Sequence, residues 1–191
     1  MRRLALVTML LALHSAGAGS APPLPDTVEP FPIDIRVAFD LVDQDGVQRT
    51  ENDLAGRPAA IFFGYANCEA ICSVALPRLA AALELLGPEG EAIQPILITV
   101  DPERDTPEAM REALPKYHQR LIGLTGSEAA LAAVREVFQV ESKVVWREPD
   151  GAPIYAHGSF IYLIGADGEV KTLLPPILSE QRIAALMRKY L

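Results

Sequence analysis

Apolar residues run through this chain in two rhythms. Short unbroken runs alternate with stripes at helical spacing. "VAFDLVDQDGVQRT" predicts two short strands joined at Asp45-Gly46, a common hairpin turn pair. "PAAIFFGY" has the continuous apolar core of a buried central strand. Leu76, Leu79, Leu83 and Leu86 then form a helical stripe that ends at Gly87-Pro88. Cys72 extends that stripe one turn back and Cys68 another, while Pro77 predicts a kink or the helix's true start. "IQPILITV" is a second buried strand. Thr106 reads as an N-cap with Pro107 at the first position of a helix running to about His118. "RLIGLTG" is a short strand, and Ser127 caps a helix whose apolar face is Leu131, Val134 and Phe138. "PIYAHGSFIYLIGADGEVKTLL" reads as strand, turn at Asp167-Gly168, strand. Ser179 starts a last helix with Ile183, Leu186, Met187 and Tyr190 on one face. Strands alternate with helices, and a hairpin and a helix follow. The order predicts an α/β sandwich with a mixed central sheet flanked by helices.

The two ends of the pattern differ. Arg2 and Arg3, the apolar run Leu4–Leu13 and Ala16-Gly17-Ala18 have the layout of a signal peptide over residues 1–21. The apolar run is about half of the roughly 20 residues that a membrane span needs; the alternative is an uncleaved N-terminal anchor. Residues 22–34 carry five prolines and predict an extended lead-in, leaving 35–191 as the folded domain. Of the 191 residues, 50% are hydrophobic, enough for a sizeable core. Without Arg2 and Arg3, fifteen basic residues face twenty-five acidic ones, a net charge of about −10 with histidines neutral. That balance argues against nucleic acid and an anionic membrane surface as partners, and permits a basic protein or a metal cation.

The chemistry centres on "GYANCEAICSVALPRL", which holds both cysteines, Cys68 and Cys72. A disulfide closing so short a loop removes little unfolded-state entropy, and a disulfide-built scaffold carries several pairs, so a purely structural bond explains them poorly. Residues i and i+4 share a helix face, where two sulfurs can form a disulfide or grip one metal ion. Cys68 would stand near a helix N-terminus, whose dipole favours a thiolate. A thioredoxin-like fold is the economical choice, because it puts a cysteine pair between its central strand and a helix. Zinc sites usually take four protein ligands, and no further cysteine exists to supply them. Two thiolates and one imidazole suit copper better, as Cu(I) or Cu(II). Of the three histidines, His14 would leave with the signal, His118 reads as solvated at a polar helix end, and His157 stands at a strand boundary. Spacing alone does not put His157 beside the cysteines. Trp146 and Tyr155 read as packing residues.

Several stretches together resemble the Sco/SenC family of copper-delivery proteins. They are "FFGYANCEAIC", "ITVDPERDTPEAM", "RLIGLTGS" and "HGSFIYLIGADGEV", in the family's order across about residues 35–175. The resemblance implies a thioredoxin-like fold and a membrane-facing, periplasmic location. It implies copper held by Cys68, Cys72 and His157, and delivery to the dinuclear copper site of cytochrome c oxidase. Some members look more like thiol–disulfide reductases that maintain that site's cysteines, which would make Cys68 the attacking and Cys72 the resolving sulfur and imply a thiol-redox partner. A copper- or redox-responsive regulator is a third reading. The chain departs from the family motif C-P-D-[VI]-C-P at Glu69, Ala70 and Ser73, has Asn67 for the histidine before the first cysteine, and has Ala156 for the aspartate before the ligand histidine. Loss of nearby carboxylates is expected to loosen ligand orientation. Asp101, Glu103, Arg104 and Asp105 follow a strand at the expected cysteine-bearing edge of the sheet. They read either as a docking or supporting loop for the site, or as a solvated loop whose Thr106 caps a helix.

Overall fold

The structure is a computed structural model that describes residues 34–66 and 71–191. The expected signal at 1–21, nearly all of the proline-rich lead-in, and Asn67, Cys68, Glu69 and Ala70 lie outside the described residues. Seven strands form one mixed sheet: β1 (Asp40–Asp43), β2 (Gln48–Thr50), β3 (Ala59–Gly64), β4 (Gln94–Thr99), β5 (Ile122–Thr125), β8 (Ile161–Ile164) and β9 (Val170–Leu174). Their spatial order is β2-β1-β5-β4-β3-β8-β9. The three central strands β3, β4 and β5 run parallel, and antiparallel strands complete both sides. Every residue of β3 and β4 is buried. That is why these segments read as unbroken apolar runs instead of alternating ones: helices cover both faces of a parallel sheet.

The helices are α1 (Cys72–Leu86), α2 (Pro88–Ala92), α3 (Pro107–Ala113), α4 (Glu128–Val137) and α5 (Glu180–Tyr190). Thr106, Ser127 and Ser179 cap α3, α4 and α5 as expected, each side-chain oxygen accepting from the backbone N–H three residues on. Cys72, Leu76, Leu79, Leu83 and Leu86 make the buried stripe of α1. Pro77 neither starts nor ends that helix; burial of Leu76 and Leu79 outweighs the backbone bond it forfeits. The helix expected to reach His118 stops earlier. α3 gives way to a 3₁₀ turn at Leu114–Lys116, because Pro115 has no N–H to continue the ladder.

One region departs from the hydropathy reading. "PIYAHGSFIYLI" is not one strand. It breaks at Gly158–Phe160, and its first half is β7 (Pro153–His157), paired with β6 (Ser142–Arg147) in a separate two-stranded sheet. β6 is exposed from Lys143 to Arg147, so it has no burial alternation for a sequence pattern to register. Trp146 is 66% exposed and is not a packing residue. Among the described residues, no helix is long and apolar enough to cross a membrane.

Topology explains what meets at one end of the sheet. β3 and β4 are parallel neighbours with Gly64 opposite Thr99. The loops that follow them, one leading to the cysteines and one reading "DPERD", therefore leave side by side. β8 is antiparallel to β3 and begins at Ile161 opposite Phe62, so His157, just before it, arrives at the same end.

Candidate functional site

Cys72 is the first residue of α1 and is fully buried. Its sulfur lies over Gly64, the last residue of β3. A Cβ added to Gly64 would stand 2.7 Å from Cys72 Sγ and 2.9 Å from Phe62 Cε1. Only glycine lets the strand approach the sulfur this closely. The same Phe62 ring meets the imidazole of His157 edge to face, with centroids 6.2 Å apart. Tyr65 meets that imidazole in the same way at 6.3 Å. Cys72 and His157, distant in sequence, thus both border Phe62 at the end of β3. Cys68 lies outside the described residues. Among the described residues, no three His, Cys, Asp or Glu side chains form a metal-binding cluster.

The half-buried His157 ring is oriented by its own neighbour. Nδ1 lies 3.0 Å from the Gly158 carbonyl oxygen. A carbonyl only accepts, so Nδ1 carries the proton in this hydrogen bond, and in the neutral ring Nε2 keeps its lone pair. This is the tautomer that a metal or an acid can use, and the arrangement is typical of ligating histidines. Ala156, where the family has aspartate, is exposed and pairs with Lys143 across the hairpin.

The "DPERD" loop is not a solvated loop. Asp101 and Asp105 are both buried. Asp105 accepts from the Ala66 N–H at 3.0 Å and from the Thr99 hydroxyl at 2.7 Å. The Tyr117 hydroxyl donates to the Ala66 carbonyl at 3.3 Å. The backbone is therefore held on both sides two residues before Cys68. Asp101 accepts from the Arg104 guanidinium and, at 3.3 Å, from the Tyr155 hydroxyl. Burial, then the nearby Asp101 charge, pushes the Tyr155 phenol up to about 12. It remains a neutral donor at any physiological pH. The sequence placed these acids at the correct end of the sheet, but polar residue types alone gave no sign of their burial.

Burial also pushes the Asp105 carboxyl up to about 6, against the opposing pull of its two hydrogen bonds. The sign follows from linkage. Raised above its unfolded value, this group contributes stability that is fully present below about pH 4 and lost as pH rises through 6. Between pH 4 and 7, wild type should lose on the order of 2–3 kcal/mol relative to Asp105→Asn. Denaturant unfolding of both proteins across that range checks this, and parallel curves would contradict it.

His118 is also not solvated. Its side chain is 11% exposed, Nδ1 accepts from the Arg120 N–H at 3.1 Å, and Nε2 lies 3.5 Å from Glu84. Burial and the Arg120 charge hold it below the usual histidine range. It is a neutral histidine that ties the turn after the 3₁₀ segment to α1.

A mixed sheet with a cysteine on the helix after its central strand and a histidine at the same end defines a thioredoxin-like protein. Comparison with known proteins gives the family. The SCO1/SenC family profile matches residues 28–191, and the chain belongs to that family. It is 36% identical over 132 residues to a SCO2-like protein of Rickettsia felis, covering 69% of this chain and 64% of the relative. The match thus spans less than two thirds of that relative's length. The structure of Bradyrhizobium japonicum ScoI with copper bound is similar at 34% identity and a TM-score of 0.74, covering 82% of this chain and 99% of that one. Arabidopsis thaliana ScoI with copper bound is similar at 29% identity and a TM-score of 0.77, covering 82% and 97%. The thioredoxin-like α/β fold expected from the sequence agrees with these neighbours.

Proposed function

We propose that this chain is an exported, periplasmic copper metallochaperone. The thiolates of Cys68 and Cys72 and Nε2 of His157 hold one copper ion as cargo. The protein passes it by ligand exchange to the dinuclear copper site of cytochrome c oxidase or to another copper protein. The observation that supports this reading is that Cys72 and His157 both lie by Phe62 at the end of β3, with His157 Nδ1 bonded to the Gly158 carbonyl so that Nε2 is left for a ligand. Two soft thiolates with one imidazole accommodate both copper oxidation states. Cys72 also stands at the positive end of the α1 dipole, which favours an anionic sulfur. The copper-bound relatives add weight to this choice of metal.

One feature favours a second reading, the thiol–disulfide reductase. The fully buried Cys72 is shielded as a resolving sulfur would be, waiting for Cys68 to react first. Anaerobic titration of the reduced protein with Cu(I) against a competing chelator separates the two. The chaperone reading expects one equivalent bound and none after both cysteines are alkylated. Absence of binding to the reduced protein would leave the reductase.

A further inference from the structure

The histidine hairpin poses a mechanical problem. β6 and β7 hydrogen-bond only to each other as strands and form no ladder with the seven-stranded sheet. A lone two-stranded ribbon is marginal in water. Yet β7 must present His157 in a fixed relation to the end of β3. Something other than sheet pairing has to set that relation.

We infer that Arg104 and Asp101 are the positioning residues that dock the β6–β7 hairpin and so fix His157 against the cysteine side of the site. Arg104 sends one guanidinium nitrogen to the Pro153 carbonyl at 2.8 Å, the first residue of β7. Its Nε pairs with the fully buried Asp101. The planar guanidinium also lies over the Tyr65 ring, 5.3 Å from the centroid. Asp101 in turn accepts from the hydroxyl of Tyr155, two residues before His157. The Tyr155 ring packs against Tyr65 at 5.7 Å, and Tyr65 packs against His157. The hairpin is thus gripped at its backbone by Arg104 and at a side chain by Asp101, and both grips converge on Tyr65.

The same loop reaches the other half of the site, since Asp105 holds Ala66 ahead of Cys68. One five-residue segment after β4 therefore touches both the strand that brings the histidine and the turn that brings the cysteines. Arginine suits this post because one rigid fork serves a carboxylate, a carbonyl and a ring face together. Lysine offers a point charge and cannot make all three contacts at once.

The inference rests on the reading of His157 as a copper ligand, and a double-mutant cycle keeps the two apart. Cu(I) affinity is measured for wild type, Arg104→Ala, His157→Ala and the double variant. Arg104→Ala should weaken binding by about 10- to 100-fold in wild type. In the His157→Ala background it should change affinity less than about threefold, because a positioning residue has nothing left to position. Equal loss in both backgrounds, or no loss in wild type, overturns the inference. Unchanged affinity in His157→Ala alone overturns the ligand reading instead. A metal-free readout then decides the positioning by itself. Amide exchange within β6–β7 should be at least about tenfold faster in Arg104→Ala, with β3 and β4 unaffected; unchanged hairpin exchange refutes it. Arg104→Ala leaves the Asp101 carboxylate buried without its cation. If that variant does not fold, Tyr155→Phe and Arg104→Lys carry the same cycle with smaller losses in the same direction.

Discussion

Cys72→Ser should abolish the thiolate-to-copper charge-transfer band of the Cu(II) protein. It should also weaken Cu(I) binding by roughly 1,000-fold or more, about 4 kcal/mol. Serine is nearly isosteric with cysteine, so the close approach of β3 at Gly64 is preserved. What is lost is the soft, anionic donor that favours Cu(I). A hydroxyl at this fully buried position adds a folding cost of about 1–3 kcal/mol. Circular dichroism and thermal unfolding must therefore accompany the measurement. Cys68→Ser should lose the band as well, since a shared clamp fails with either half. Full affinity in either single variant would show that the two sulfurs do not hold one ion. Both variants should also lose reversible disulfide formation, so they do not separate the two functional readings.

His157→Ala does separate them. Thiol–disulfide exchange needs an attacking thiolate and a resolving sulfur, and Cys68 and Cys72 supply both. The variant should therefore keep cysteine oxidation and reduction within about tenfold of wild type, roughly 1.4 kcal/mol in barrier height. A three-coordinate copper site loses one of its donors, and affinity should fall by about 100-fold or more. His118→Ala is the matched control. Its imidazole is engaged with Arg120 and Glu84, so it should change stability and leave both activities intact. Retained copper affinity in His157→Ala removes it from the ligand set. Loss of reductase activity with copper binding intact moves the assignment to the enzyme.

The parts of the fold that were legible in the sequence are those whose signals are local. Thr106, Ser127 and Ser179 mark helix starts because a cap is a contact three residues long. The runs "AAIFFG" and "QPILIT" announce central strands because both their faces are covered. What was not legible depends on contacts distant in sequence. Strand β6 has exposed Val144, Val145 and Trp146 beside exposed Lys143 and Arg147, so no periodicity betrays it. His118 looked polar because its neighbours in sequence are, whereas its surroundings are set by α1 and the turn at Arg120. That Cys72 and His157 lie at the same end of the sheet could be expected only from family resemblance, since it arises from β8 running antiparallel to β3. Gly64 did carry a usable signal: a glycine ending a buried strand, just before a cysteine motif, marks a close approach. Burial of Asp101 and Asp105 had no counterpart in the sequence. It follows from β3 and β4 being parallel neighbours, which brings the acidic loop against Ala66, just past the end of β3.

Copper transfer to an oxidase domain is the decisive experiment. The reduced protein, loaded with one equivalent of Cu(I), is mixed anaerobically with the metal-free, reduced copper domain of a cytochrome oxidase, and the copper content of each is measured after separation. The acceptor should gain copper from the wild-type protein in the presence of a chelator that captures free ions, and should gain none from His157→Ala. An acceptor that stays empty, or one whose oxidised cysteines are reduced by this protein without any copper moving, would rule out copper delivery.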